Sequence, residues 1–162
     1  MLVVGIDPGV ATTGYGIVRD TKNGILLVDY GVVTTPPKMV LAQRLLLLHQ
    51  ELEKIIQLHR PESAAVEKLF FQKNVTTAIA VGQARGVALL TMAENQIEVS
   101  EYTPLEVKQA VAGYGSADKK QVQYMVKAIL NMEVVPTPDD AADALAIAIC
   151  HLHSVRYKNL EK

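Results

Sequence analysis

Apolar positions along the chain follow two different spacings. Residues 2–6 (LVVGI), 14–19 (GYGIVR) and 25–33 (ILLVDYGVV) are short apolar runs separated by the turn-rich segments DPGVATT and TKNG, which predicts three strands. The Asn23-Gly24 pair between the second and third runs predicts a hairpin. After Thr34, Thr35, Pro36 and Pro37 break this pattern, Leu41, Leu45, Leu48, Leu52 and Ile55 recur at helical spacing, so 39–58 reads as one long helix. Residues 63–67 (SAAVE) read as a buried strand, 75–94 as a second helix and 97–100 (IEVS) as a fifth strand. Helical patterns then cover 104–112, 119–130 and 138–153, interrupted by Gly113-Tyr114-Gly115 and by the Pro136/Pro138 stretch. Three early strands followed by alternating strands and helices predict an α/β fold, a mixed five-stranded sheet flanked by helices.

A chain of 162 residues, 49% hydrophobic, is long enough for one substantial core, and residues 1–162 are expected to form a single domain. No run of about 18 consecutive apolar residues occurs, and the apolar start Met1 to Ile6 stops at Asp7. The expectation is a cytoplasmic protein with no membrane contact. Cys150 has no second cysteine to pair with and lies in the apolar run 144–150, so it reads as a reduced, buried thiol. Sixteen basic against 17 acidic residues give a net charge of -1, which does not announce a nucleic-acid partner. Setting aside four carboxylates bound to cations would leave a basic excess of three, so the charge distribution carries more information than its sum.

Four acids stand where a fold needs a reason for them. Asp7 ends one apolar run and Glu67 another, while Asp140 and Asp143 share a helix face at i, i+3 spacing. Hard divalent cations such as Mg2+ prefer carboxylate oxygens, and two ions about 4 Å apart can clamp the attacking and leaving oxygens in phosphoryl transfer. Taken singly, three of the acids have plainer readings. Asp7-Pro8-Gly9 also fits a turn, Glu67 the solvated end of an edge strand, and Thr137-Pro138-Asp139-Asp140 a capped helix start. Asp143 does not fit that last reading, because it lies a turn further in, among the aliphatic residues of AADALAIAI.

The order and wording of the motifs closely resemble the RuvC family of Holliday junction resolvases over nearly the whole chain. The matching segments are GIDPG at 5–9 with GYG at 14–16, AVEKLFFQKN at 65–74, GQARG at 82–86, GYGSADKKQV at 113–122 and DAADALAIAI at 140–149. The resemblance implies an RNase H-like fold and a catalytic tetrad of Asp7, Glu67, Asp140 and Asp143. These would hold Mg2+, two ions per site, with Mn2+ as a substitute. It further implies hydrolysis that leaves a 5'-phosphate and a 3'-hydroxyl, with symmetric nicks in a four-way DNA junction in recombination and repair. A two-fold substrate calls for a homodimer, in which the family is similar. Cooperation with a RuvA-RuvB branch-migration complex and a short T-rich cleavage preference belong to the same set of expectations. Asp139, beside Asp140, is expected to face solvent.

Phe70 and Phe71, the only phenylalanines, fall in one polar loop with Lys68, Gln72, Lys73 and Asn74, where an aromatic ring can stack on an unpaired base. One of the two anchoring the loop to the core is the plainer alternative, and the family pattern favours Phe70 as the DNA contact. Lys73, Arg85, Lys108, Lys119 and Lys120, with Lys127, are candidates for a phosphate-binding surface. Lys119 follows Ser116-Ala117-Asp118, a capping sequence that opens a helix. Resemblance places Lys108 and Lys119 nearest the cleaved backbone. Ala78, Ala80, Gly82, Ala84, Gly86 and Ala88 make a small-residue helix that suits close packing on its own sheet or on a second subunit.

Three other functions share parts of this sequence pattern. Sugar kinases and actin-like ATPases open with a similar strand, Asp and glycine turn, but need a second phosphate loop and a second domain that 162 residues do not supply. A non-catalytic junction binder would be expected to lack part of the tetrad. Another RNase H-like nuclease, including the YqgF-like group, would share the bare tetrad, and only the LFFQKN and GYGSADKK wording argues against it.

Overall fold

Strand β1 (Leu2–Asp7) is apolar on both faces and forms the centre of the sheet. It pairs antiparallel with β2 (Thr12–Thr21), which pairs antiparallel with β3 (Gly24–Thr34). On its other side β1 runs parallel to β4 (Ser63–Glu67), which runs parallel to β5 (Glu98–Tyr102). The order is β3-β2-β1-β4-β5, a mixed five-stranded sheet as the apolar pattern predicts. This computed structural model describes residues 1–69 and 75–160. Thr21 pairs with Gly24 across the β2–β3 hairpin, so the turn consists of Lys22 and Asn23, and Gly24 takes a positive φ of 125° that favours glycine.

Strand alternation divides the core in two. Leu2, Val4 and Ile6 point to one face, under α1 (Leu41–His59) and α2 (Val75–Glu94), where they pack with Leu48, Leu52, Ile56, Ala84, Ala88 and Met92. Val3 and Ala65 point to the other face. There α3 (Pro104–Ala112), α4 (Lys119–Ile129) and α5 (Asp139–Leu160) bring Val107, Val111, Val122, Val126, Leu145 and Ile149 into one cluster. By the same parity, Asp7 follows Val3 and Gly5, and Glu67 follows Ser63 and Ala65, so both acids project to the α5 face.

α5 lies directly on β1 and β2 because glycines let it. A Cβ on Gly5 would lie 2.1 Å from the Ala144 carbonyl oxygen, and one on Gly14 would lie 1.9 Å from that of Asp140. On Gly16 it would lie 2.7 Å from the Leu145 side chain and 2.8 Å from its backbone nitrogen. Backbone-to-backbone contact this close excludes any side chain. α5 begins at Asp139, one residue later than its pattern suggests, with the Pro138 carbonyl accepting from the amides of Ala141 and Ala142. It continues to Leu160, well past the expected end at 153. That last part has left the core, so its sequence loses apolar periodicity; the Ser154 hydroxyl donates to the Cys150 carbonyl, and Arg156 pairs with Asp20 of β2.

α3 and α4 start with reciprocal caps. Thr103 and Glu106 form one, and Asp118 and Gln121 the other, where the Asp118 carboxylate accepts from the Gln121 amide at 2.8 Å and the Gln121 side chain accepts from the Asp118 amide. Asp118→Ala is expected to lower stability by about 1 kcal/mol in denaturant unfolding. A loss below about 0.3 kcal/mol would show that packing alone fixes the start of α4.

Candidate active site

β1 and β4 are parallel neighbours, so their ends lie side by side and leave Asp7 and Glu67 at one edge of the sheet. The first two turns of α5 cross above that edge. Asp7 pairs in register with Gly14, the residue on which the backbone of Asp140 rests, so the glycine that admits the helix also sets the second pair of acids over the first. Asp7, Glu67 and Asp143 line a cleft of about 200 Å³ together with Pro104, Val107, Lys108, Lys119, Val122, Ala146 and Ile147. At roughly 30 Å³ per water, the cleft has room for cations that keep part of their hydration shell. Asp140 is not among the lining residues, but it is close enough for its charge to act on Asp7.

The electrostatics are those of crowded carboxylates. Burial first, then the charges of Asp143, Asp140 and Glu67, push the Asp7 pKa from 3.8 up to about 7. Burial and Asp143 raise Glu67, with Lys108 opposing, and burial raises Asp143 against the pull of Lys119. Lys119 Nζ donates to Asp143 Oδ2 at 3.0 Å and lies 3.2 Å from Asp139 Oδ2. Burial lowers the Lys119 pKa, but the hydrogen bonds and charges of Asp143 and Asp139 outweigh it and hold the ammonium above its ordinary value. Asp139 is exposed as expected, and it also accepts from Gln123 at 3.1 Å, which ties α4 to the start of α5.

Neither Asp7 nor Glu67 has a side-chain hydrogen-bond or ion-pair partner among the described residues. Among these residues, no three acids, histidines or cysteines converge tightly enough to enclose a cation as they stand. The donor set nonetheless consists wholly of carboxylate oxygens, two of them half-buried without compensation, which suits a hard divalent cation.

A metal-linked pH dependence follows. Because the folded-state pKa of Asp7 is raised, its contribution to stability is complete below about 3.8 and is lost as pH rises through about 7; Glu67 and Asp143 shift in the same direction. A divalent cation that replaces the protons removes this penalty. The gain in Tm from Mg2+ over EDTA is therefore expected to be larger at pH 8 than at pH 5.5. Equal gains at the two pH values would show that the cation binds elsewhere.

The remaining candidates are dispersed. Lys108 lines the acid cleft and, like Lys120 and Lys127, has no ion pair among the described residues. Lys120 lies outside the cleft, in a separate groove with Tyr114 and Tyr124. Arg85 sits on α2 beneath the opposite face of the sheet, paired with Glu101 of β5; its side chain is 17% exposed and its Nε is buried without a hydrogen-bond partner. Phe70, Phe71 and Lys73 lie outside the described residues. Cys150 is buried and free, with its thiol pushed up to about 12 by burial. Sequence reasoning missed the apolar wall of Val107, Val122 and Ile147 and the supporting role of Gly5, Gly14 and Gly16. The alternating glycines of GYG, next to a strand ending in Asp, were the available signal.

A sheet of this order, with acids at the ends of its parallel central strands and on the helix above them, defines an α/β protein of RNase H-like fold with an all-carboxylate site. Residues 3–151 match the family described as crossover junction endodeoxyribonuclease RuvC, and the chain belongs to that family. It is 58% identical over 153 residues to the Pelotomaculum thermopropionicum RuvC, covering 94% of this chain and 93% of that one. The Desulfitobacterium hafniense RuvC is 55% identical over 159 residues, covering 98% and 96%. Among solved structures, Thermus thermophilus RuvC in complex with a Holliday junction substrate superposes with a TM-score of 0.93 at 38% identity, covering 98% of this chain and 96% of that one. The yeast mitochondrial Holliday junction resolvase shares the fold at 15% identity, with a TM-score of 0.63. The family implies use of a divalent metal.

Proposed function

We propose that this chain is a Mg2+-dependent endodeoxyribonuclease that resolves four-way DNA junctions by paired, symmetric phosphodiester hydrolysis. The observation that carries this reading is the convergence of Asp7, Glu67 and Asp143 on one cleft, with burial first and then the charges of Asp143, Asp140 and Glu67 raising the Asp7 pKa to about 7. Asp7, Glu67, Asp140 and Asp143 would hold two Mg2+ ions, with Mn2+ able to replace them. Held there, such ions would supply an activated water and charge neutralisation for the scissile phosphate, and the products would carry a 5'-phosphate and a 3'-hydroxyl. Lys108 and Lys119, on the wall of the same cleft, hold the phosphate in line, and Val107, Val122 and Ile147 keep bulk water from its inner side.

Residues 1–162 act as one nuclease domain. Phe70 and Lys73 are assigned to the junction centre, Lys120 to the flanking backbone. Arg85 is kept as a DNA contact only through release of its Glu101 pair, which makes it the weakest member of the set. Two symmetric nicks need a homodimer, for which the outer face of α2 offers a surface. Ala84 and Ala88 pack on the chain's own sheet, whereas Ile79 is 56% and Leu90 56% exposed and a Cβ on Gly86 would meet nothing within 4 Å. That face accounts for α2 being long and apolar enough, by length and composition only, to cross a membrane. A RuvA-RuvB branch-migration complex is the proposed partner assembly, and the cytoplasm the proposed location.

The test is a substrate panel with Mg2+: a mobile four-way junction, the matching duplex and an RNA-DNA hybrid. Paired nicks in two strands of like polarity, in the junction alone, are expected. Hybrid cleavage would move the chain to a general RNase H activity, and junction binding without cleavage in Mg2+ or Mn2+ would make it a structural binder.

A further inference from the structure

Two acids near the start of α5 share one cation. Lys119, the first residue of α4, places Nζ 3.0 Å from Asp143 Oδ2 and 3.2 Å from Asp139 Oδ2. The two carboxylates stand one turn apart on one face of α5, so a single ammonium reaches both. The other oxygen of Asp139 accepts from Gln123 Nε2 at 3.1 Å, and Gln123 follows Lys119 by one turn on the same face of α4. Asp139 is thus held by two residues of α4.

The two partners of Lys119 differ in their surroundings. Asp143 lines the acid cleft and its side chain is 36% exposed, whereas that of Asp139 is 66% exposed and lies outside the cleft lining. Among the described residues, Lys119 is the one cation in an ion pair with an acid of the cleft, and its charge also acts on Asp7. An ammonium has three donors and no acceptor, so at Asp143 it occupies an oxygen that a divalent cation would use. A cation that takes Asp143 must displace it. A lysine shared between two carboxylates is centred on neither, and when one is taken it can settle fully on the other without returning to water.

We infer that Lys119 stands in for the cation at Asp143, and that Asp139 is the positioning residue that receives its ammonium when a divalent cation enters the cleft. The inference rests on the reading of this cleft as the cation site. With Asp139 in place, displacement exchanges a shared contact for an undivided one, and the Asp139 carboxylate offsets the repulsion between the ammonium and the incoming ion. Without it, Lys119 settles on Asp143 alone, and the incoming ion has to break that pair and leave an unpaired ammonium beside itself. Asp139 therefore strengthens the binding of a cation it does not touch, and it does so through Lys119. Gln123 keeps the receiving carboxylate turned toward α4.

The experiment measures Mn2+ affinity of the full chain, at one pH near 8 and at about 0.15 M salt to screen the exposed charge of Asp139 itself, for wild type, Asp139→Asn, Lys119→Met and the two combined. Asp139→Asn is expected to weaken binding about fivefold, the scale of one exposed ion pair. Lys119→Met keeps the length of the side chain but removes the competitor, and is expected to strengthen binding by about as much. In the Lys119→Met background, Asp139→Asn is expected to change affinity by less than about twofold, because its effect runs through the lysine. A loss of the same size in both backgrounds would overturn the inference, since Asp139 would then act by its own charge. Unchanged affinity in Asp139→Asn alone would overturn it as well. Asp139→Glu keeps a carboxylate within reach of Nζ and is expected to bind within about twofold of wild type; a loss as large as that of Asn would tie the effect to the start of α5 instead of the lysine, against the inference. If wild type binds Mn2+ but leaves a four-way junction uncut, the function proposed above fails while the affinity cycle still decides this inference.

Discussion

Replacing Asp7 with Asn is expected to slow single-turnover cleavage of a four-way junction by about a thousandfold or more, which corresponds to about 4 kcal/mol of transition-state stabilisation, while junction binding is kept or improved. Asp7 ends the central strand and feels the charges of Asp143, Asp140 and Glu67 together, so it sits at the electrostatic centre of the cluster. Asn keeps the size of the side chain but supplies one neutral carbonyl oxygen in place of an anionic pair, and cation affinity falls accordingly. Removing a negative charge also lessens repulsion of the DNA backbone, so binding should not suffer. Stability should rise slightly at pH 8, because the carboxylate that burial and its neighbours disfavour is gone. Cleavage within tenfold of wild type would mean that the acids are not the reacting centre.

Gly14→Ala is expected to cost more than about 3 kcal/mol, or roughly 6–12 °C in Tm for a domain of this size, and to abolish most activity in whatever protein remains folded. The added methyl would lie 1.9 Å from the Asp140 carbonyl oxygen and 3.0 Å from the Ala141 nitrogen. Both obstacles are backbone, and a helix packed on two strands cannot yield by moving a side chain. α5 must lift from β2, which opens the core around Leu145 and carries Asp140 and Asp143 away from Asp7. If Gly14→Ala unfolds like wild type, the close approach of α5 is not what places the acids.

Much of this arrangement was legible before any coordinates. Short apolar runs between turn segments and helical spacing of apolar residues located the five strands and five helices of the described residues to within a few residues, except where α5 runs on past the core and the pattern that marked it ends. Asp143 stood out because an acid among buried alanines needs a reason, and the structure shows it facing the cleft with its neighbours Ala142 and Ala144 buried. What the spacing of residues does not encode is which face a polar side chain finds after strands and helices have packed. Arg85 of GQARG reads from the sequence as a candidate for the phosphate-binding surface, yet parity on β5 turns Glu101 toward α2 and supplies its partner. Likewise Lys119 and Lys120 are adjacent in sequence but separated by about 100° around the helix, so one meets the acids and the other meets Tyr124.

The most direct test of the central claim is Mn2+ binding to the metal-free protein, followed by electron paramagnetic resonance from pH 5.5 to 8 for wild type, Asp7→Asn and Asp143→Asn. Wild type should bind Mn2+ increasingly well as pH rises through about 7, where Asp7 gives up its proton, and each variant should bind at least about tenfold more weakly with a flatter pH dependence. Mn2+ binding of equal strength and equal pH dependence in all three proteins would contradict the account, since the carboxylates at the ends of β1 and on α5 would then not be the cation site.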